Sequence, residues 1–461
     1  MSRQWARIGA AGMVAALLAA ACGGNDSGGG GGKASGKCPI GAIAKTTRKP
    51  VDIVFWHAMT QANEATLKKL TDEFNSSQGD VRVKLVNQTA YDDTFTKFKA
   101  GLASGDLPDL VQLQDTALQL MIDSQAVLLA QACVDADKYD LSDHIKRVID
   151  YYRVKNVLWP MPFNVSNLLL LYNKQAFTKA GLDPEKAPAN FDEIRAASEK
   201  IVSSGAAKSG IALKTAPEYP EQWLAKAGQP YVNNGNGRQA RATKVTFDNA
   251  AGLDVYTWLS SMVKDKLLLA TPNQGFNHLL AVANGNAAMS VESSASLGTL
   301  LGVLGNYPSV TLGAGAFPGP EGRGGVLVGG AALYILNKSS PAKQEAAWRF
   351  AKFLNEPASQ ATWSAGTGYV PIRKSAIDLD PIKRRWAEVA GFKVAYDQLL
   401  AGVDNEATAG PVIGDYVGVR KAVEDALQAM VTTGTPPKQA LDRAAQRANA
   451  AIAEYNRRVG G

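Results

Sequence analysis

The sequence predicts an α/β protein built of two lobes, and three observations support this fold class. Strand, helix, strand, helix and strand patterns follow one another between residues 51 and 113, an order typical of βαβ units with a mainly parallel sheet. A second region of alternating strand and helix patterns begins after Pro160. Breaks rich in proline and glycine at residues 159–162 and 328–330 indicate where the chain crosses between the lobes.

The individual elements follow from the spacing of apolar residues. Residues 51–56 are mostly β-branched or aromatic, and residues 81–86 alternate apolar with basic side chains, so both segments are predicted strands. Apolar residues recur at helical spacing in 61–74; a helical pattern at 92–104 and a strand-like run at 109–113 follow. The same criteria predict later strands at 167–172, 287–291, 311–317 and 330–336, and helices at 174–180, 191–204, 249–264, 276–283, 341–354, 356–363, 381–390, 416–431 and 437–457.

The composition excludes several classes of protein. Of the 461 residues, 46% are hydrophobic and 20% are charged, which is ordinary for globular proteins and argues against a disordered chain, a fibre or a coiled-coil rod. The 49 basic and 42 acidic residues give a net charge of +7, spread along the chain without a block of Lys or Arg. We therefore expect no nucleic-acid partner.

The N-terminal segment predicts export. Arg3 and Arg7 precede an apolar run at residues 8–21 that is shorter than the roughly 20 residues needed to span a bilayer, a pattern typical of a signal peptide. Small residues directly before Cys22 resemble the lipobox of bacterial lipoproteins, although Ala19 stands where a leucine is usual. The resemblance implies that residues 1–21 are removed and that Cys22 is lipidated; a plain signal peptide with an incidental cysteine is the alternative.

The segment after Cys22 and the other two cysteines fit an exported protein. Residues 23–36 include eight glycines, so we expect 22–37 to be a flexible tether. Cys38 and Cys133 remain as an even pair in an oxidising compartment. Either they form a disulfide or they are two buried free thiols.

Sequence motifs for catalysis and metal binding are absent. His57, His144 and His278 have no second ligand at metal-binding spacing, so each is expected on the surface or in the core. The sequence contains no nucleophile elbow, phosphate-binding loop or dinucleotide fingerprint. We expect no metal and no cofactor, and in an exported two-lobed chain this favours a binding protein over an enzyme.

Several motifs resemble the solute-binding proteins of bacterial ABC importers, the family that includes maltose- and glycerol-3-phosphate-binding proteins. They are Phe-Trp-His-Ala-Met at 55–59, Met-Pro-Phe-Asn-Val-Ser at 161–166, Gly-Gly-Ala-Ala-Leu at 329–333, Gly-Tyr-Val-Pro within 367–372, and Val-Arg at 419–420. Further matching segments are 171–174, 288–290 and 293–297. The resemblance covers about residues 51–458 and is strongest to the branch that binds glycerol 3-phosphate and glycerophosphodiesters such as glycerophosphocholine.

The resemblance implies the fold and the partners. It implies a type II periplasmic-binding-protein fold, with two α/β lobes that close over a ligand by hinge motion. The N-lobe would contain 38–160 with 329–375, and the C-lobe 161–328 with 376–461. The protein would be a monomer on the outer face of the cell membrane, held there by its lipid anchor alone, and would pass its ligand to ABC importer permease subunits.

The resemblance also implies a ligand site. Arg420 offers a planar fork to a phosphate, and Asp115 can accept hydrogen bonds from glycerol hydroxyls. The related branch has a glutamate where Asp115 stands and a tryptophan near the ligand where residues 213–217 have none. These departures imply a roomier pocket and favour a glycerophosphodiester over free glycerol 3-phosphate. The full set of expected ligand contacts is Tyr91, Asp115, Ser166, Ser293, Gly330, Tyr369 and Arg420.

Two other functions stay open on the sequence alone. A binder of neutral oligosaccharides would need aromatic platforms and no fixed cation in its cleft. A secreted hydrolase would need a titratable pair within reach of its substrate.

Overall fold

The computed structural model describes residues 36–307, 310–320 and 324–460. The predicted signal peptide (1–21), Cys22 and most of the predicted tether lie outside the described residues. Within them, no helix combines the length and the apolar character needed to cross a membrane.

The strands and helices alternate along most of the chain. The strands are β1 (Val51–His57), β2 (Val81–Asn87), β3 (Leu110–Gln114), β4 (Val127–Leu128), β5 (Arg153–Val154), β6 (Val157–Leu158), β7 (Met161–Ser166), β8 (Leu168–Asn173), β9 (Ser209–Lys214), β10 (Leu268–Thr271), β11 (Ala287–Ser293), β12 (Leu312–Ala316) and β13 (Gly329–Leu336). The helices are α1 (Gln61–Ser77), α2 (Tyr91–Ser104), α3 (Leu118–Ser124), α4 (Ala130–Asp137), α5 (Lys146–Tyr151), α6 (Lys174–Lys179), α7 (Phe191–Ser203), α8 (Glu218–Lys226), α9 (Asn233–Asn236), α10 (Ala250–Lys264), α11 (Asn277–Ala283), α12 (Leu297–Leu304), α13 (Pro341–Leu354), α14 (Pro357–Thr367), α15 (Asp380–Glu388), α16 (Ala390–Ala401), α17 (Tyr416–Thr433) and α18 (Pro437–Arg458).

The larger sheet has the strand order β2-β1-β3-β13-β4, and β7 also pairs with β13. The first three strands are parallel, as the strand–helix–strand pattern predicts. β13 returns from far along the chain and runs antiparallel to β3, β4 and β7. The beginning of β13 therefore lies at the same edge of the sheet as the ends of β3 and β7.

The smaller sheet has the order β10-β9-β11-β8-β12. β9 is parallel to β10 and β11, whereas β8 is antiparallel to β11 and β12. Each sheet packs helices against it and forms the core of one α/β lobe.

The chain passes between the sheets near the two predicted breaks. β7 begins at Met161 and still belongs to the larger sheet, so the first crossing follows Ser166 and not the prolines before it. The return crossing lies between β12 and β13. The lobe boundaries stated above stay a prediction.

A disulfide joins Cys38, which precedes β1, to Cys133 on α4. Both cysteines are buried. The bond fastens the beginning of the described chain to the larger lobe.

Candidate ligand-binding cleft

All seven residues expected at the ligand line one cavity of about 300 Å³. Four of them lie at strand ends: Asp115 directly follows β3, Ser166 ends β7, Ser293 ends β11, and Gly330 is the second residue of β13. Ligands of open α/β sheets bind beyond the carboxyl ends of strands, and β3, β7 and β11 meet the cavity in this way. The antiparallel strand β13 meets it with its amino end. The complete set on the cavity wall is Tyr91, Asp115, Ser166, Ser293, Gly330, Tyr369 and Arg420.

Gly330 is required by the way β13 approaches β7. Its φ is +98°, a conformation that favours glycine. A Cβ atom there would lie 1.9 Å from the carbonyl oxygen of Asn164. Any side chain at this position would push the two strands apart at the cavity wall.

The Arg420 guanidinium is bound to a carboxylate that the sequence analysis did not predict. Its Nε and Nη2 donate to Oε1 and Oε2 of Glu221 at 2.9 and 2.7 Å, and it lies 5.0 Å from the ring centre of Tyr416. The Glu221 side chain is 2% exposed. Burial raises the pKa of Glu221, and the charge of Arg420 opposes that rise. The pair fixes the guanidinium in one orientation and offsets its charge.

Asp115 is a buried carboxylate on the same cavity. It is 8% exposed, and the Tyr151 hydroxyl donates to its Oδ2 at 3.1 Å. Burial raises the pKa of Asp115 to about 6, with Arg420 lowering it and Glu221 raising it further. This group therefore changes its charge close to neutral pH.

Two tyrosines meet at the cavity wall. The hydroxyls of Tyr91 and Tyr369 are 3.2 Å apart, and the amide nitrogen of Asn164 donates to the Tyr91 hydroxyl at 2.8 Å. The Tyr369 ring stacks on Trp363 with centroids 5.3 Å apart. The stacking holds the Tyr369 ring in place, so its hydroxyl has a fixed position.

Ser293 is supported by an ion-pair network behind the cavity. Glu292 accepts a hydrogen bond from the Ser293 backbone N–H at 2.7 Å, and its other oxygen contacts Lys214 at 3.2 Å and His278 at 2.8 Å. Burial would raise the pKa of Glu292, but Lys214 and His278 outweigh it and hold that pKa at about 2. The Glu292 carboxylate thus stays ionised and bound to the Ser293 backbone.

The charge of the cavity wall is unbalanced towards acid. Among the described residues that line it, Asp115, Glu218 and Glu221 carry acidic side chains and Arg420 carries a basic one. Three carboxylates and one guanidinium give a net charge of −2 when all are ionised. Neither Glu218 nor Glu221 was predicted from the sequence.

The mouth of the cavity carries an aromatic side chain that the motifs also missed. Phe276 lines the cavity and is 42% exposed, so its ring is accessible to a ligand. Trp223 is buried instead, and its indole N–H donates to the carbonyl oxygen of Pro318 at 2.9 Å. The described lining of the cavity includes no tryptophan. This agrees with the absence of a tryptophan from residues 213–217, where the related branch has one near the ligand.

The three histidines lie in the core and not on the described cavity wall. Within residues 36–307, 310–320 and 324–460, no group of three or more His, Cys, Asp or Glu side chains is arranged to hold a metal ion.

A family model described as bacterial extracellular solute-binding protein matches residues 69–390, more than half of the chain. The chain belongs to this family. The predicted family resemblance is thereby confirmed.

Two curated relatives extend the sequence comparison to nearly the whole solute-binding protein. Both are named sn-glycerol-3-phosphate-binding periplasmic protein UgpB. The protein from Rhizobium meliloti is 27% identical over 414 residues, covering 87% of this chain and 94% of the relative. The protein from Brucella abortus is 27% identical over 429 residues, covering 90% and 96%.

Solved structures confirm the fold class. The structure of UgpB from Mycobacterium tuberculosis in complex with glycerophosphocholine aligns with a TM-score of 0.73 at 22% identity, covering 87% of this chain and 98% of that one. The GacH receptor of Streptomyces glaucescens, solved without ligand and with acarbose, aligns with a TM-score of 0.72 at 21% identity, covering 88% and 99%. The solute-binding protein has the type II periplasmic-binding fold of two α/β lobes.

Proposed function

We propose that this solute-binding protein captures a glycerophosphodiester, glycerophosphocholine foremost, and delivers it to the permease subunits of an ABC importer. The observation that carries the proposal is the Arg420 guanidinium on the cavity wall, held by Glu221 at 2.7 and 2.9 Å. A guanidinium in fixed orientation is suited to a phosphate oxygen. The hydroxyls of Ser166, Ser293 and Tyr369 line the same cavity and supply neutral donors.

The charge of the cavity favours a diester over a phosphate monoester. Free glycerol 3-phosphate carries nearly two negative charges at neutral pH, and it would enter a wall that is itself net negative. Two like charges roughly 6 Å apart repel by about 3 kcal/mol at an effective dielectric constant near 20. A glycerophosphocholine molecule has one phosphate charge and one quaternary ammonium, so it brings a cation for the carboxylates along with an anion for Arg420.

The remaining sequence predictions complete the proposed function. Cys22 would be acylated and would hold the monomeric protein on the outer face of the cell membrane, with residues 22–37 as its tether. The name of the relatives as periplasmic proteins supports a location outside the cytoplasm. The protein would carry out no catalysis and would use no cofactor.

A neutral oligosaccharide is the second candidate ligand. It is favoured by the excess of carboxylates on the cavity wall, because carboxylates accept hydrogen bonds from sugar hydroxyls, and by the exposed Phe276 at the mouth. The guanidinium argues against it. Arg420 would then contribute no phosphate contact, and its removal would change affinity little.

Calorimetric titration with glycerophosphocholine, glycerol 3-phosphate and trehalose tests the function, and a paired substitution tests the role of Arg420. Arg420→Ala alone would leave Glu221 buried without a partner, which typically destabilises a fold by roughly 3–5 kcal/mol. The double variant Arg420→Gln/Glu221→Gln removes the guanidinium and leaves the net charge of the cavity wall unchanged. We expect it to lose about 2–5 kcal/mol of glycerophosphocholine binding, or thirtyfold to several thousandfold in affinity.

A matched control is Arg447→Ala, since Arg447 is 65% exposed and pairs with Asp425 at the surface. It should bind as the parent does. If the double variant also binds glycerophosphocholine like the parent, the phosphate contact is wrong. If the parent binds trehalose and not glycerophosphocholine, the oligosaccharide proposal replaces this one.

A further inference from the structure

A chain of buried hydrogen bonds leads from the backbone of the larger sheet to the tyrosine pair. The Ala58 backbone N–H donates to Oε1 of Gln112 at 3.1 Å. Nε2 of Gln112 then donates to Oδ1 of Asn164 at 2.8 Å, and Nδ2 of Asn164 donates to the Tyr91 hydroxyl at 2.8 Å. Gln112 and Asn164 are both 0% exposed, and neither lines the cavity.

The direction of this chain is set by its first member. A backbone N–H can only donate, so the atom of Gln112 that faces it must be the amide oxygen. The amide nitrogen of Gln112 therefore faces Asn164, and the atom that it meets there must be an oxygen. The nitrogen of Asn164 is left to face Tyr91, whose hydroxyl oxygen must accept.

The fixed direction has a consequence for the two phenols. Burial raises the pKa of both Tyr91 and Tyr369, so each hydroxyl keeps its proton. Because the Tyr91 oxygen accepts from Asn164, neither phenol O–H can donate to Asn164. Only one of the two O–H groups can donate in the bond between the phenols. Whichever phenol donates in that 3.2 Å bond, one O–H is left over, and among the described side chains it has no hydrogen-bond acceptor outside the pair.

We propose that Gln112 and Asn164 are positioning residues that leave the Tyr91–Tyr369 pair with one O–H free to donate to the ligand. This inference rests on the proposed function, in that the cavity is the ligand site. The group that receives this O–H is then an acceptor oxygen of the ligand, such as a phosphate or ester oxygen.

The substitution Gln112→Glu tests the direction of the chain without changing its shape. One carboxyl oxygen still accepts from Ala58. When the other is protonated it donates to Asn164, as the amide does. When it is ionised it can only accept, so the Asn164 amide must turn over and the Tyr91 O–H must donate to Asn164. The bond between the two phenols is then kept only if Tyr369 donates to Tyr91. No O–H is then left for the ligand.

The expected result is a pH-dependent loss of affinity. A buried glutamic acid titrates well above its usual pKa of about 4.3. Below the pKa of the introduced carboxyl, the variant should bind glycerophosphocholine within about threefold of the parent; above it, affinity should fall at least tenfold. Asp115 and the buried His57 titrate in the parent as well, so the ratio of the two dissociation constants isolates the new group.

Gln360→Glu is the matched control. Gln360 is also 0% exposed, its Oε1 accepts from the Ile372 backbone N–H at 3.1 Å, and its Nε2 donates to the Leu354 carbonyl at 2.8 Å. It takes no part in the chain to Tyr91 and does not line the cavity. A general effect of a buried carboxyl would appear equally in both variants, whereas we expect the affinity ratio of Gln360→Glu to be independent of pH.

A spectroscopic measurement separates this inference from the proposed function. The infrared C–O stretch of isotope-labelled tyrosine responds to a change in the bonding of a phenol, and it requires no ligand. A pH-induced change in Gln112→Glu that disappears when Tyr91→Phe is added supports the proposed direction of the hydrogen bonds even if glycerophosphocholine fails to bind the parent.

If Gln112→Glu does not fold, Asn164→Asp replaces it in both measurements. Its ionised carboxylate would accept from both Gln112 and Tyr91. An unchanged spectrum together with a pH-independent affinity ratio overturns the inference.

Discussion

The raised pKa of Asp115 predicts that the ionised carboxylate of this residue destabilises the folded protein at neutral pH. The perturbation is Asp115→Asn, which removes the charge and keeps an oxygen that can accept from the Tyr151 hydroxyl, now 3.1 Å from Oδ2. Because Asp115 is 8% exposed, its charge is poorly hydrated in the folded protein. The variant should therefore be more stable than the parent at neutral pH, and worse at binding.

The magnitude follows from the two pKa values. Burial raises the pKa of Asp115 from its ordinary value of 3.8 to about 6, so the folded state binds the proton more tightly. Stability from this group is greatest at low pH and is lost as pH rises from about 3.8 to about 6. The full difference is about 3 kcal/mol at pH 7, and lowering the pH to 5 should recover about 1.3 kcal/mol of it.

Urea denaturation at pH 7 and pH 5 measures the effect. Asp115→Asn should raise the free energy of unfolding by up to about 3 kcal/mol at pH 7, and by about 1–2 kcal/mol at pH 5. The same variant should bind glycerophosphocholine about five- to thirtyfold more weakly, since one charged acceptor becomes neutral. The difference between parent and variant removes the contributions of all other titrating groups.

Asp143→Asn is the control of opposite sign. Hydrogen bonds from Ser375 and Arg373 lower the pKa of Asp143 despite its partial burial. Its contribution to stability is present above the ordinary aspartate pKa and is lost only as the pH falls below about 4. This variant should be destabilised equally at pH 7 and pH 5. If Asp115→Asn behaves in the same way, the raised pKa of Asp115 is wrong.

Two further predictions concern the cysteines. Replacing Cys38 and Cys133, which are 95 residues apart in sequence, by alanine should lower the free energy of unfolding in urea by up to about 4–5 kcal/mol from loop entropy alone; mass spectrometry of unreduced, alkylated protein contradicts the disulfide if both cysteines are alkylated. Cys22→Ala should move the protein from the membrane fraction to the soluble fraction, and a variant of unchanged mass that stays with membranes would rule out the lipid anchor.

The long amphipathic helices could be predicted because the spacing of their apolar residues along the sequence shows which face is buried. The predicted helices at 416–431 and 437–457 are α17 (Tyr416–Thr433) and α18 (Pro437–Arg458). Both have an apolar face at helical spacing and a polar face. Such a pattern requires no knowledge of the partner that covers it, so the sequence alone is enough.

Elements that are buried on most sides were missed or misplaced. α8 (Glu218–Lys226) buries seven of its residues and so has no amphipathic pattern to detect. It also contains Pro220 in its first turn, where proline is tolerated but where a sequence analysis expects a break. β7 (Met161–Ser166) is buried throughout, so it has no alternation of apolar and polar residues, and Pro162 within it indicates a break between lobes where the structure has a strand.

The cleft was predicted only as far as local motifs extend. The motifs supplied Arg420 and Asp115, and the structure brings both to one cavity. They could not supply Glu221, which lies 199 residues from Arg420 in a helix that was missed. Gln112 lies in the largely apolar strand β3 and, in the sequence, resembles an ordinary polar residue within an apolar run. Its role depends on a hydrogen bond to Asn164 on another strand, which only the assembled sheet creates.

Under the proposed function, the Arg420–Glu221 pair explains why a ligand that carries both a positive and a negative charge would be preferred. Burying an ion pair seldom stabilises a fold, because the cost of removing two charges from water offsets their attraction. Its place on the cavity wall therefore fits a role in binding: Glu221 orients the guanidinium through two hydrogen bonds and limits the positive field that a phosphate meets. With Asp115 and Glu218 on the same wall, a lone phosphate would meet three carboxylates and one guanidinium, whose Nε and Nη2 already donate to Glu221. A phosphodiester that carries its own cation satisfies both sets of charges at once, which is the reason that a zwitterionic head group is preferred under the proposed function.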